Sequence, residues 1–291
     1  MLDNNNPRIL TLVLCSRKYL SFISSKAQLK IWNKYANDFK IKHFIGNPYR
    51  SEREVDYISV QKDNYLILNT DDGYPNLAKK TLLAFDWAVS NYKFDYLFRT
   101  NTSSFVDFKK LTQFTKDNSN NLEYSGVVLD VEEGDTIASG AGFFLSRKNV
   151  ELILNNQDKF DISLPDDVAI ARLLKNFDIS PTNLIRKDLK TVPKPNSVYV
   201  SDHFHYRCRL DPQYHRILEP YLMKYLSRVS EKIGIISLVY YYWLVLIFKI
   251  SNIKLIYKII QKFYSFKFYG EINHKDRILY TSKKNKNFKK K

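Results

Sequence analysis

Cysteine is scarce. Cys15 and Cys208 are the only two in 291 residues, too few for a disulfide framework, and Cys15 sits inside an apolar run where a buried free thiol is ordinary. A reducing cytoplasm suits such a chain. Long hydrophobic runs are lacking too. The N-terminal stretch MLDNNNPRILTLVLCSRK has an apolar run too short to span a bilayer, and it lacks the basic segment and small-residue cleavage site of a leader, so neither a signal peptide nor an N-terminal anchor is expected. Segment 233–248 (IGIISLVYYYWLVLIF) is uncharged but falls short of the roughly 20 residues a spanning helix needs. It reads as a buried core helix or an interfacial segment. Negative charge is the third shortage: 30 Asp and Glu stand against 46 Lys and Arg, a net charge of +16. That excess calls for an acidic partner, whether a nucleotide phosphate, a nucleic acid or an anionic membrane. Nucleic acid is the poorest fit, because the lysines gather in a tail and beside an apolar helix rather than on a recognition motif.

What is present argues for one substantial core, with 44% hydrophobic and 15% aromatic residues. Segment 9–15 (ILTLVLC) is a continuous apolar run, the mark of a fully buried parallel strand. Helical spacing follows over 24–37, then a strand over 40–45 ending at Gly46, which together make a βαβ unit. Further strands are expected at 65–68, 96–98, 127–129 and 143–145. Helices are expected over 76–89, 214–228 and after Arg147 and Asp167. Strands alternating with helices predict an α/β fold with a mostly parallel sheet covered on both faces. Residues 1–210 form the expected principal domain and 211–270 a helical, apolar and basic region. The remainder, 271–291, is a basic tail. Lys254, Lys258 and Lys262 at helical spacing suit either a basic amphipathic helix on an anionic surface or a solvated face over a core.

Segment 139–171 carries the candidate chemistry. A small-residue stretch, Ser139 to Gly142, reads as a loop whose Gly140 and Gly142 let backbone approach a ligand closely. Asp166 and Asp167 follow Pro165 at a helix start, where carboxylates also serve as solvated caps. The polar stretch 99–104 (RTNTSS) falls at the carboxyl end of a strand, where open α/β sheets hold ligands.

Four stretches in register resemble glycosyltransferase family 31, which contains β-1,3-galactosyltransferases and Fringe. Segment 26–48 (KAQLKIWNKYANDFKIKHFIGNP) is similar to the family's early helix with its Trp and the strand after it. DGYPNLAKKT, 72–81, resembles D-x-Y-x-N-L-x-x-K-T. SGAGFFLS, 139–146, resembles G-G-G-Y-x-x-S, and PDDV, 165–168, resembles E/D-D-V. The likeness runs from about Ile9 to Ile179. It implies a GT-A fold and an inverting transfer from a nucleotide-sugar donor, usually UDP-linked, to a hydroxyl of a glycan or lipid-linked saccharide. Inversion needs one base to take the acceptor's proton, and Asp167 matches the second acid of the motif. By the same matching Asp72 and Lys80 lie near the donor, although Asp72 as a turn former and Lys80 as a surface lysine remain open. Asp166 is a further substrate-side candidate or a cap. His203 or His205 corresponds to a late histidine near the diphosphate, or is structural. Where the family has an acidic metal-binding triplet, this chain has Arg99, Thr100, Asn101, Thr102 and Ser103. Hydroxyls and one amide are poor ligands for Mg²⁺ or Mn²⁺. Cations such as Arg99, Lys80, Arg207 and Arg209 are then expected to meet the leaving-group charge, with Asn101 and Ser103 hydrogen-bonding the donor. The basic, apolar C-terminal region implies a cytoplasmic protein held peripherally on the inner face of a membrane.

Overall fold

The computed structural model describes residues 7–46, 57–60, 65–118, 121–131, 134–249 and 258. In chain order the elements are β1 (Ile9–Leu14), α1 (Tyr19–Trp32), α2 (Ala36–Phe39), β2 (Lys42–Gly46), β3 (Tyr57–Val60), β4 (Tyr65–Leu68), α3 (Leu77–Asn91), β5 (Tyr96–Asn101), β6 (Ser104–Val106) and α4 (Phe108–Asp117). There follow β7 (Tyr124–Val131), β8 (Asp135–Ser146), α5 (Arg147–Asn155), α6 (Asp166–Lys175), β9 (Thr182–Asn183), β10 (Lys187–Leu189), α7 (Pro195–Tyr199), β11 (His205–Cys208), α8 (Glu219–Glu231) and α9 (Ile235–Lys249).

The main sheet has the order β3-β4-β2-β1-β5-β8-β7-β9. Strands β4, β2, β1 and β5 run parallel, while the long hairpin β7–β8 docks antiparallel on β5. The fold is thus α/β with helices on both faces, as expected. The side-chain period of two explains how one strand serves both faces. On β1, Leu10 and Leu12 join α3, α5 and α6 in one core. Ile9 and Val13 join Trp32, Phe39, Phe108 and Leu111 from α1, α2 and α4 in another. Phe98 and Phe144 follow the second face; Leu97, Phe143 and Leu145 follow the first. Asp107 caps α4 by accepting from the amides of Lys109 (3.1 Å) and Lys110 (3.3 Å), and Ser146 caps α5 through Asn149 (3.2 Å).

Four details differ from the sequence reading. Residues 139–142 are strand rather than loop, lying inside β8, where Gly142 pairs with Thr100 of β5 and the stretch falls at a break in the register with β7 between Gly126 and Val128. Helix α1 begins at Tyr19, five residues before the expected start. A second sheet, β10-β11-β6, has no counterpart in the periodicity, because its strands are only three or four residues long. The expected boundary at 210 runs through one hydrophobic cluster: Phe105, Tyr206 and Cys208 pack with Leu222, Met223, Tyr225 and Leu226 of α8 and with Leu244 of α9.

Helix α9 is covered on one side only. Ser237 and Leu244 are buried, whereas Ile235, Ile236, Val239, Tyr242 and Leu246 are between 63% and 80% exposed. No described helix is long and apolar enough to cross a membrane. The expected basic helix near 253–264, Lys258 apart, and the tail lie outside the described residues.

Candidate functional site

Successive parallel strands extend from β1 through β2 to β4 on one side, and β5 lies on the other. The chain therefore reverses direction across the sheet between β1 and β5, and their carboxyl ends part there to leave a crevice. A cavity of ≈ 650 Å³ opens at that point.

Its floor is a buried ion pair. Lys80 Nζ, from α3, lies 2.7 Å from Asp72 Oδ1 and also donates to the Cys15 carbonyl at 3.2 Å. The Arg17 amide donates to the same Asp72 carboxylate. Both charges are almost wholly shielded from solvent, so neither Lys80 as a surface lysine nor Asp72 as a simple turn former describes what they do: together they clamp the end of β1 to the start of α3.

One wall is the turn after β5. Asn101 Oδ1 accepts from the Ser103 amide (3.0 Å), Ser103 Oγ (2.8 Å) and Ser104 Oγ (3.3 Å), an Asx-type turn that the residue types dictate. Asn101, Thr102 and Ser103 all face the cavity. The other wall comes from the second sheet and the segment after it, as Arg207, Arg209, Gln213, Arg216 and Glu219. At the mouth stand Lys18, Tyr19 and Tyr74. Lys18, Arg216 and the tyrosines were missed in the sequence reading. A signal for Lys18 existed, since it follows directly on the carboxyl end of the first parallel strand. None existed for Arg216, which only the packing of α8 brings there.

Seven candidates, Arg99, Gly140, Gly142, Asp166, Asp167, His203 and His205, are not among the residues that line this cavity. Arg99 is buried and ion-paired to Asp166, and it donates to the Gly140 carbonyl. Asp166, which also accepts from Thr81 Oγ1 at 2.8 Å, is thereby turned inward; it is the first residue of α6 and caps nothing. Arg99 and Asp166 neutralise each other, so Arg99 is not the free cation expected at the leaving group. His205 is buried, 3.1 Å from Ser104 Oγ, and burial brings its pKa down to about 3, which keeps the imidazole neutral. Gly142 lies under that ring: a Cβ there would meet His205 Nδ1 at 2.8 Å. His203 is half-buried near the Tyr206 ring, its pKa lowered by burial and by Lys187.

Asp167 is held one residue from the cavity wall. Its Oδ2 accepts from the Gly140 amide (2.8 Å) and its Oδ1 from the Val168 amide (3.1 Å). The Gly140 carbonyl in turn accepts from Asn101 Nδ2 at 3.4 Å. Burial and the neighbouring Asp166 raise the Asp167 pKa above the usual carboxylate value, against the opposing pull of Arg99. A Cβ on Gly140 would lie 2.7 Å from Asp167 Oδ2. The space above both glycines is therefore filled by side chains of this protein, which is why β8 carries small residues there.

No protein-family model matches the chain, and no curated protein matches it. Among solved structures it is similar to a glycosyltransferase involved in glycosylation of the major capsid of PBCV-1 (TM-score 0.45, 10% identity, covering 74% of this chain and 99% of that one). It is also similar to the galactosyltransferase LgtC in complex with donor and acceptor sugar analogues (TM-score 0.40, 9% identity, 80% and 100% covered). A third is a putative glucose-1-phosphate thymidylyltransferase from Bacillus anthracis in complex with sucrose (TM-score 0.38, 11% identity, 61% and 87% covered). At such identities and scores the likeness is distant, and the chemistry of the site comes from the chain's own residues.

Proposed function

We propose that this chain is a GT-A-type glycosyltransferase, moving a sugar from a nucleotide-linked donor to a hydroxyl of a glycan or lipid-linked saccharide. The observation that carries this reading is the cavity at the β1/β5 crevice, where five cations, Lys18, Lys80, Arg207, Arg209 and Arg216, stand against the two carboxylates of Asp72 and Glu219. Phosphate oxygens suit the cationic wall. The tyrosines at the mouth suit the flat face of a base, since stacking on an aromatic ring tolerates any base.

Asp167 is the proposed general base. A carboxylate whose pKa is raised by burial takes a proton more readily at neutral pH, and the Gly140 amide fixes its orientation. The acceptor oxygen bonds to the anomeric carbon and its proton passes to Asp167. The bond from that carbon to the diphosphate oxygen breaks, and the nucleoside diphosphate leaves as an anion beside the cationic wall. The inverting course, the UDP-linked donor and a β-1,3 linkage follow from the motif resemblance alone. Segment 99–104 does not fit a divalent metal, because Asn101 Oδ1 is occupied by three donors and the stretch contains no carboxylate. No step is assigned to one.

A membrane setting belongs to the same reading. The exposed apolar side of α9, with Tyr242 and Trp243 on it and lysines following in the sequence, suits an anionic bilayer surface at its cytoplasmic face.

The test is a screen of the purified full-length protein against nucleotide sugars, with Asp167→Asn as its partner. Turnover should fall by roughly 10²- to 10⁴-fold with nucleotide binding retained; undiminished turnover excludes Asp167 as the base. A second reading, a non-catalytic sugar-binding or scaffold protein, is favoured by one observation. Both cavity carboxylates are already paired, Asp72 with Lys80 and Glu219 with Arg216. Binding of nucleotides without turnover of any donor would decide for it.

A further inference from the structure

Resting on the donor reading above, we infer that Arg207 and Arg209, with Lys18 at the mouth, hold the donor's diphosphate without a divalent cation. Strand β11 makes this possible by its register. Arg207 is paired across to Asp188 on β10 and to Ser104 on β6, so it stands beside the turn from which the acidic triplet is missing. Alternation sends Tyr206 and Cys208 into the core cluster, leaving Arg207 and then Arg209 to line the cavity.

Positive charge here exceeds what the protein itself neutralises. Asp188 is engaged by Arg186, whose Nε and Nη2 lie 2.6 and 3.2 Å from its two oxygens. Arg207 Nη1 reaches the same carboxylate only at 3.5 Å. One carboxylate is thus shared by two guanidinium groups, with Arg209 adding a third. Arg207 Nε is buried without a hydrogen-bond partner, which a structure avoids unless something else supplies an acceptor. Burial and the neighbouring Arg186 and Arg209 lower the Arg207 pKa, as expected where positive charge is crowded. A diphosphate supplies both the acceptor oxygens and the missing negative charge. Arginine suits that role better than lysine, because its planar fork meets phosphate oxygens two at a time. Among the described residues no group of three or more His, Cys, Asp or Glu is arranged to hold a metal, and Asp166 and Asp72 are committed to Arg99 and Lys80.

The experiment is calorimetric titration of the full-length protein with inorganic pyrophosphate and with uridine diphosphate, in EDTA and again with Mn²⁺. Both ligands should bind equally well, within about twofold, in the two buffers, and more weakly as salt rises. The double variant Arg207→Gln, Arg209→Gln should weaken both at least about tenfold. The single variant Arg209→Gln, at an exposed position that leaves the core untouched, should weaken them severalfold. Lys148→Gln, away from the cavity, should bind as wild type. Binding that requires Mn²⁺, or that survives unchanged in the arginine variants, overturns the inference and leaves the donor reading standing. Failure of the wild-type protein to bind pyrophosphate or any nucleoside diphosphate overturns both.

Discussion

Gly142 carries no side chain because His205 occupies the space above it, and His205 is itself sealed in, 3% exposed. Alanine at 142 must push a buried ring aside, a form of overpacking that costs about 1–3 kcal/mol. Gly142→Ala should lower the thermal midpoint by several degrees, as circular dichroism melting would show. Two imidazoles also tie stability to pH. His43, 3.0 Å from Gln28 Oε1, and His205 are both pushed by burial to about 3 from an ordinary 6.5. They stay neutral in the folded chain while the unfolded chain begins to take up protons near pH 6.5. Stability is therefore full above pH 6.5 and declines as pH falls towards 3, by about 1.4 kcal/mol per pH unit for each ring. Urea midpoints at pH 7 and pH 5 should differ accordingly, and His205→Asn should flatten the slope. Asp167 was visible in the sequence as an acid before a helix. That the Gly140 amide holds it, and that Asp166 faces the other way onto Arg99, was not. Adjacent residues at a helix start diverge by the helical rotation, and their partners lie 27 and 67 positions away.

At the scale of elements, apolar runs marked the strands well. β1 and β5 are buried on both faces and read as buried strands, while β4, buried on alternate residues, and the end of β8 read as strands. The start of α1 did not read as a helix start, because its N-cap is Lys18 with no side-chain cap bond and no acidic residue stands in the first turn; further along, its buried face is polar. Gln28 donates to the carbonyls of Asn101 (3.1 Å) and Ser104 (2.7 Å), and Ser25 Oγ lies 2.6 Å from the Tyr65 hydroxyl. A helix that supports the turn after β5 with polar side chains loses the apolar stripe by which helices are found. Residues 139–142 failed the other way: small residues resemble a loop, yet here they let Asp167 and His205 lie against a strand. Helix α9 has an apolar pattern without a polar side, and solvent meets much of it. Substituting Val239→Glu and Leu246→Glu on the outward side should abolish co-sedimentation with phosphatidylserine vesicles while leaving the thermal midpoint nearly unchanged. Equal pelleting of variant and wild type would remove the membrane from the proposal. Leu244→Ala on the inward side should instead destabilise by about 2–5 kcal/mol.

For the whole molecule, the segment beyond 210 contributes both to a hydrophobic cluster and to the cavity lining. It supplies Leu222, Met223, Tyr225, Leu226 and Val229 to the cluster that also holds Phe105 and Tyr206, and Arg216 to the cavity. A chain ending at 210 would expose that apolar surface and should show no cooperative thermal transition; a sharp melt of residues 1–210 would contradict this. The excess of lysine and arginine announced an acidic partner. Composition alone had no means of saying that three arginines meet at one crevice while Arg99 is silenced by Asp166.

Local pattern by itself determined the α/β class, the parallel strands, the acids at 166 and 167 and the lack of any carboxylate over 99–104, because each is written in neighbouring residues. Tertiary structure decided which charges are free and which are paired. Pairing depends on the register of β10, β11 and β6 and on helices packed from distant parts of the chain, and no periodicity of three or four residues carries that information.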